Sequence, residues 1–313
     1  MSNFYGQYIG FGSGTSGGGL VWYGTIGAIV GGYLTLDTID YVTIQTTGTT
    51  ASDWGNMVSG RRGIGHTSNG TVGVVSSGRG SGYDFSTHMD YFTIATPATT
   101  AQDFGNLTDS TYAIGSTQDG TYGIRWGGYP GEKTQIDYWT QATPADAQNF
   151  GDLGVAGGAF GDGVNDATYG LCSGIGNVSG GYEQDLIQVM TIANVGSDAS
   201  DWGADLHFGT YHFGTVSSAA GRGLMSGGWG FSATQNQIQY VTIASAVNGS
   251  DFGNMLSGSA SNSGVNDATR GVFTKGYLSY TDMDYITMDT TANSADFGDL
   301  SVGRSYTAGV SGS

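Results

Sequence analysis

Aspartate and histidine are the residues here that could do chemistry. Asp103-Phe104-Gly105 has the form of the triplet that holds magnesium in protein kinases. Sister copies recur along the chain, however, and no Gly-rich phosphate loop followed by a lysine strand accompanies them. A residue needed once per repeat reads as scaffold: Asp caps turn amides, the aromatic wedges between repeats and Gly takes a positive φ. Four histidines are present, His66, His88, His207 and His212. His207 and His212 are five apart, which on one strand would point them to opposite faces, and no metal-ligand spacing links any of the four. Asp162, Asn165 and Asp166, with Asn266 and Asp267 in a matching turn, supply oxygens suited to calcium, without the twelve-residue loop pattern. No Gly-x-Ser-x-Gly stands on a strand-to-helix turn: Gly12-Ser13-Gly14 and Gly80-Ser81-Gly82 are loop glycines with no paired base. Paired carboxylates for glycoside cleavage depend on spatial pairing. Only Glu132 and Glu183 are Glu, and no unrepeated acidic cluster stands out. The sequence is therefore read as non-enzymatic, with no catalytic residue, metal site or cofactor.

Composition sets the class. Of 313 residues, 58 are Gly, 3 are Pro and 11% are charged. No strict Gly-X-Y period is present, and 19 Tyr, 13 Phe and 6 Trp supply core material, unlike collagen or a flexible linker. Aromatic and β-branched residues favour strands; Gly, Asn and Asp favour the turns between them. The net charge is −17, nearly all from Asp. Such a charge repels nucleic-acid phosphate and anionic membranes, and Arg61-Arg62 is the sole basic cluster, so neither is an expected partner. Leu20 to Val30 is apolar but too short and Gly-broken to cross a bilayer. The N-terminus lacks the charged-then-apolar pattern of a secretory signal, so folding in a cytoplasm is expected. Cys172 stands alone, so no intrachain disulfide is expected.

One phrase recurs six times. Its first half is Ile39-Asp40-Tyr41-Val42-Thr43-Ile44; its second half, about ten residues on, is Asp53-Trp54-Gly55-Asn56-Met57. The other copies begin at Met89, Ile136, Ile187, Ile238 and Met283. The second-half aromatic (Trp54, Phe104, Phe150, Trp202, Phe252, Phe297) recurs at steps of 50, 46, 52, 50 and 45 residues. A period of roughly 40 to 50 residues matches four-stranded propeller blades. There is no 3.6-residue apolar pattern, and Gly at this density would ruin helices. In the second unit the pattern predicts strands over 63–67, 71–76 and 89–96, then a fourth through Asp103-Phe104-Gly105 or the turn after it. Asn69-Gly70 predicts a type I′ hairpin turn, repeated at Asp119-Gly120, whereas 163–168 and 264–269 predict a longer turn. The third strand is apolar on both faces (Tyr91 on one, Phe92 and Ile94 on the other), as in a strand buried on both sides. The repeated Thr at Thr43, Thr93, Thr140, Thr191, Thr242 and Thr287 is expected either to satisfy a buried strand neighbour or to line a polar channel.

The expected architecture is an all-β propeller of six blades, each of four antiparallel strands, with seven blades as the alternative. The tail 303–310 resembles 60–65 and so predicts a first strand whose partners come from the N-terminus, with 19–24 and 34–44 as later strands. Pairing both termini in one blade would close the ring and remove its edges. Residues 9–14 also resemble a first strand. Residues 1–18 are thus either that strand or a short arm, and 19–313 a single propeller domain.

The phrase resembles the Asp-Tyr-x-Thr-Ile … Asp-Phe-Gly-Asp-Leu repeats of kelch-like propellers in tailed-bacteriophage virions, over roughly residues 19 to 310. Kelch repeats carry a Gly-Gly pair followed by spaced Tyr and Trp. Here Gly31-Gly32, Gly127-Gly128, Gly180-Gly181 and Gly227-Gly228 are each followed at once by Tyr or Trp, a departure in spacing. The resemblance implies a multi-copy virion component, such as a capsid decoration, fibre or tail-associated protein. It would dock on other virion proteins through its rim or N-terminal arm. The alternative is a host-attachment module that binds a surface glycan through aromatic loops on one face. Function then falls to residues that do not repeat. Trp126, Tyr129, Trp139, Tyr182, Trp229, Phe231 and Tyr277 lie in or beside variable segments; exposed, they would bind sugars or protein partners, and buried, they would cover blade edges.

Overall fold

The computed structural model describes residues 22–82, 84–97, 99–131, 133–155, 161–174, 185–230, 233–277 and 280–313. These form six antiparallel sheets, the blades of a six-bladed β-propeller. Blade 2 comprises Gly65–Ser68, Val72–Ser76, Ser86–Thr93 and Gln102–Thr111, from axis to rim. Blade 3 comprises Gly115–Gln118, Tyr122–Trp126, Gln135–Thr140 and Gln148–Asp152; blade 4, Asp162–Asn165, Tyr169–Ser173, Leu186–Thr191 and Ser200–Asp205. Blade 5 comprises Gly214–Ser217, Arg222–Ser226, Ala233–Thr242 and Ser250–Ser259; blade 6, Gly264–Asn266, Arg270–Thr274, Asp282–Thr287 and Ala295–Asp299. Each innermost strand packs on those of both neighbouring blades, which closes the ring.

Blade 1 joins the two ends of the described chain. Ala308–Gly312 is its innermost strand, followed by Ile26–Val30, Thr38–Thr43 and Ser52–Asn56. The closure expected from the tail is present. Its second strand is Ile26–Val30 rather than 19–24, because Gly24 lies against Gly312 and the ladder begins at Ile26. Residues 9–14 lie outside the described residues, and the ring has six blades without them.

Blades stack because the second strand carries Gly where the preceding blade intrudes. A Cβ on Gly27, Gly73, Gly170, Gly223 or Gly271 would collide with Val265, Val310, Thr117, Val164 or Val216, each an innermost-strand side chain of the blade before. This spacing requirement explains much of the glycine content.

The repeated phrase is the latch between blades. In every blade a bulge between third and fourth strands, next to the phrase's Asp or Gln, lets the second-half aromatic turn inward, where all six are buried. The carbonyl two residues after each aromatic, or three in blade 4, then accepts an N–H from the next blade. The pairs are Ala101 to Asn56, Ala147 to Asn106, Ala199 to Asp152, Gly249 to Asp205, Ser294 to Asn254 and Ala51 to Asp299, at 2.7–2.9 Å. The phrase's first half grips the blade before. Asp40, Asp90, Asp137, Gln188, Gln239 and Asp284 accept N–H bonds from Ser301, Val58, Thr108, Gly154, His207 and Leu256, at 2.6–3.2 Å.

The next blade crosses close over the Gly of the phrase. A Cβ on Gly105, at φ 139°, would lie 2.5 Å from the Ala145 carbonyl oxygen. Gly105→Ala is expected to cost about 1–3 kcal/mol. Gly80→Ala, with nothing within 4 Å, is expected to stay within about 0.5 kcal/mol. Urea unfolding of the pair checks this; equal midpoints would refute the latch.

Three local expectations are corrected. The Asn69-Gly70 turn is not type I′: only Gly70 has positive φ, and Asn69 Oδ1 instead accepts from the amides of Thr71 and Val72. Asp119, Asp166 and Asp267 do the same. The turns at Asp166 and Asp267 are no longer than the others, since Asn165 pairs with Gly170 as Ser68 pairs with Gly73. Finally, the six repeated Thr neither line the channel nor sit buried. All are exposed at the end of the third strand, where each carbonyl accepts from the residue three further on.

Candidate functional site

The innermost strands enclose a narrow axial channel of hydroxyl and amide groups, including Thr67, Ser116, Gln118, Asn165, Thr215 and Ser311. Side chains bridge the strands there: Ser116, Ser217 and Ser311 hydroxyls accept from the amides of His66, Asn165 and Asn266. One end, where the turns between first and second strands lie, is lined by Trp22, which is buried. The chain therefore reaches its first blade from the axis of that face.

The opposite end opens into a mouth of about 60 Å³ to which every blade contributes. Gly63, Ala113, His212 and Tyr306, two residues before the innermost strands of four blades, and Ser261, three before that of blade 6, all have φ of 55–61°. Their backbones form a belt: Ala113 donates to Gly63, Gly63 to Tyr306, Tyr306 to Ser261 and Ser261 to His212, at 2.6–3.0 Å. Four non-glycine residues in this region store roughly 1–3 kcal/mol each, held by the belt. His212 packs edge-on to Tyr306 at 5.3 Å, with Ser261 Oγ 3.3 Å from its Nδ1. Burial pushes its imidazole down to about 3, so it is neutral near pH 7. Burial raises the Asp162 carboxyl, opposed by the charge of His66 and by hydrogen bonds from Thr215 and the amides of Gly163 and Ser116.

Around this mouth lies an aromatic face. Short backbone bridges pin the loop after a blade's second strand to the loop entering that blade, at Arg62 and Arg79, Tyr112 and Tyr129, and Tyr211 and Trp229. Phe85 stacks on Tyr112 at 5.4 Å with the planes 7° apart, and Tyr129 stands edge-on to both. Arg79 lies over Phe85 and Tyr112, and Arg62 over Tyr33 at 4.8 Å. Trp229 meets Tyr277 at 5.3 Å. Burial raises the Tyr112 phenol, opposed by Arg79.

The seven sequence candidates separate. Tyr129, Trp229 and Tyr277 belong to this face, with Tyr129 and Tyr277 37% and 41% exposed. Trp126 and Trp139 are buried and are removed as surface contacts: Trp126 packs where Gly115 and Gly161 have no Cβ, and Trp139 over Gly123. Tyr182 and Phe231 lie outside the described residues. The sequence reading missed Tyr33, Arg62, Arg79, Phe85 and Tyr112. A signal was there: Tyr33, Arg79, Tyr129, Trp229 and Tyr277 all stand three residues after a second strand.

The remaining candidates do not assemble. His207 and His212 lie on the loop entering blade 5, not on one strand. Asp166 and Asp267 cap turns, while Asn165 and Asn266 line the channel, so the calcium constellation read from the sequence is dispersed. Asp103, Asp201 and Asp251 accept from the Gly amide two residues on, at 2.9–3.2 Å, as turn caps. No family model matches the chain, and no curated protein matches it.

Proposed function

We propose that this chain is a structural, non-catalytic component of a bacteriophage virion. It docks through its N-terminal side and turns its aromatic face outward. The observation that carries this orientation is the polarity of the disc. Trp22, the first described residue, lies on the axis at one face, and the pinned aromatic loops crown the other. Aromatic rings held by backbone bridges lose little entropy on binding, which suits a recognition surface.

The virion role rests on the sequence resemblance. Imaging of native particles tests it, with expected density for the disc on capsid, tail or fibre in many copies. Deletion of 1–21 is expected to lower incorporation at least about tenfold, a loss of some 1.4 kcal/mol. A protein found only free in solution would overturn the reading.

Exposed Tyr129, Tyr277 and Tyr33 favour a host-surface glycan as the outward partner, because sugar faces stack on such rings. Tyr129→Ala with Tyr277→Ala is expected to leave incorporation intact and weaken host adsorption at least about tenfold. Unchanged adsorption would exclude the glycan role.

A further inference from the structure

A chain of net charge −17 has 9 Lys and Arg in all, and two of them face each other. Five of the nine form ion pairs with aspartates. Arg222 and Arg270 donate to the Met288 and Ile44 carbonyls. The other two, Arg62 and Arg79, stand on the aromatic face, half-buried and directly opposite each other across an antiparallel bridge. Their amides and carbonyls exchange both hydrogen bonds, at 3.3 and 2.9 Å. Residues so placed project to one side with Cβ atoms about 4.5–5.5 Å apart, where like charges repel. The same bridge joins Tyr112 to Tyr129 in blade 3 and Tyr211 to Trp229 in blade 5. Blade 2 thus carries two guanidiniums where its sisters carry two rings.

The surroundings orient both side chains and leave room beside them. Arg62 lies over the Tyr33 ring at 4.8 Å, and Arg79 over the Tyr112 ring at 5.6 Å. A guanidinium stacked on a ring keeps its planar fork of N–H groups available at the edge. Tyr33 is followed by a strained turn, with Leu34 and the β-branched Thr35 at φ of 69° and 57°. Arg61 and Gly80, chain neighbours of the pair, line an open groove of about 510 Å³ together with Phe85 and the hydroxyls of Ser59 and Ser86. That volume is within the usual range of small-ligand sites. Asp84, exposed in the same groove, offers acceptors to sugar hydroxyls.

We propose that the Arg62–Arg79 pair binds the carboxylate of an acidic sugar, with the sugar lodged in this groove. The inference rests on the glycan reading above and adds the class of ligand. Guanidinium forks match the two oxygens of a carboxylate, and a bound anion offsets the repulsion between the two cations. The negative charge of the chain does not oppose this at contact. Exposed charges farther off than about 8 Å are largely screened at physiological ionic strength.

The test uses the whole chain on an array of neutral, carboxylated, sulfated and phosphorylated polysaccharides. The carboxylated ones are also printed after reduction of their carboxyl groups to alcohols, which removes the charge and keeps the ring. Binding to carboxylated glycans is expected, weakened at least about tenfold by the reduction and by Arg62→Gln or Arg79→Gln. Arg62→Lys keeps the charge but loses the fork, and is expected to fall between. Arg222→Gln makes the same change of charge at the start of a second strand, toward the Trp22 face, and is expected to bind as the parent does. Should the arginine variants fail to fold, the reduced glycans decide, because they alter only the ligand. Glycans bound equally before and after reduction, or equally by a folded Arg62→Gln, would overturn the acidic-sugar site and leave the glycan reading standing. Binding confined to sulfated or phosphorylated glycans would overturn the carboxylate. An array with no binder would overturn both readings.

Discussion

Removal of residues 308–313 is expected to abolish cooperative folding of the entire ring, not only of blade 1. The strand Ala308–Gly312 pairs residue for residue with Ile26–Val30, and its Ala308 and Val310 belong to the core shared with Ile64 and Val75 of blade 2. It also ties the channel. Ser311 Oγ accepts from Asn266, the Ser311 carbonyl accepts from Ser68 Oγ at 2.7 Å, and the Ser313 amide donates to Gly70. Without it Ile26–Val30 becomes an edge strand in the centre of the disc, its backbone groups unpaired where water reaches poorly. At about 1–3 kcal/mol for each unsatisfied group, three or four already approach the roughly 5–15 kcal/mol that holds a typical domain together. Loss of near-UV circular dichroism and of a single urea transition is the expected result. A circular permutant that joins Ser313 to Thr25 by a short linker and opens at Gly131 keeps the strand; it is expected to fold. A truncated chain with a wild-type midpoint would show that closure contributes nothing.

That closure was readable because the tail repeats a unit's opening residues without the rest of the unit. The period, the blade number and the buried aromatic were readable for a related reason: six copies of each make a signal that one copy would not. The turn at Asn69 was misread because the Asn side chain, rather than two positive φ angles, satisfies the turn amides. Trp139 was misplaced on the surface although it occupies the repeat position of Val42 and Phe92, both buried. Its size drew the surface reading, while Gly123, which makes room for it, sits sixteen residues earlier on the neighbouring strand. The axial mouth was invisible for a topological reason. It takes a few residues from each of six blades, brought together only by closing the ring. The buried cations were equally hidden. Arg61 and Arg304 precede innermost strands by four residues, Arg125 lies on a second strand, and Lys275 follows one. No aligned position predicts them.

Those cations account for which blades use Asp and which use Gln in the first half of the phrase, and the rule makes a sharp expectation. Every blade needs an oxygen there to accept the amide of the blade before. A carboxylate does so with a charge to spare, which blades 1, 2, 3 and 6 neutralise with Arg304, Arg61, Arg125 and Lys275. Arg125 shows the geometry best, with Nε 3.0 Å and Nη2 2.6 Å from Asp137 Oδ2. Blades 4 and 5 have Gln188 and Gln239, whose amide oxygens accept the same backbone bond without charge. In blade 5 the position of Arg61 is taken by Thr210, whose hydroxyl donates to the carbonyls of Gly227 and Trp229. Arg61→Thr alone leaves Asp90 buried without its cation and is expected to cost about 3–5 kcal/mol. Arg61→Thr with Asp90→Gln installs the blade 5 arrangement in blade 2. Replacing both members of a buried pair is often near neutral, so the double variant is expected within about 1–2 kcal/mol of the parent. A double-mutant cycle in urea reads the difference as coupling. If the double variant is as unstable as Arg61→Thr, neutral Gln does not substitute for a paired Asp, and the choice between them in this ring has another cause.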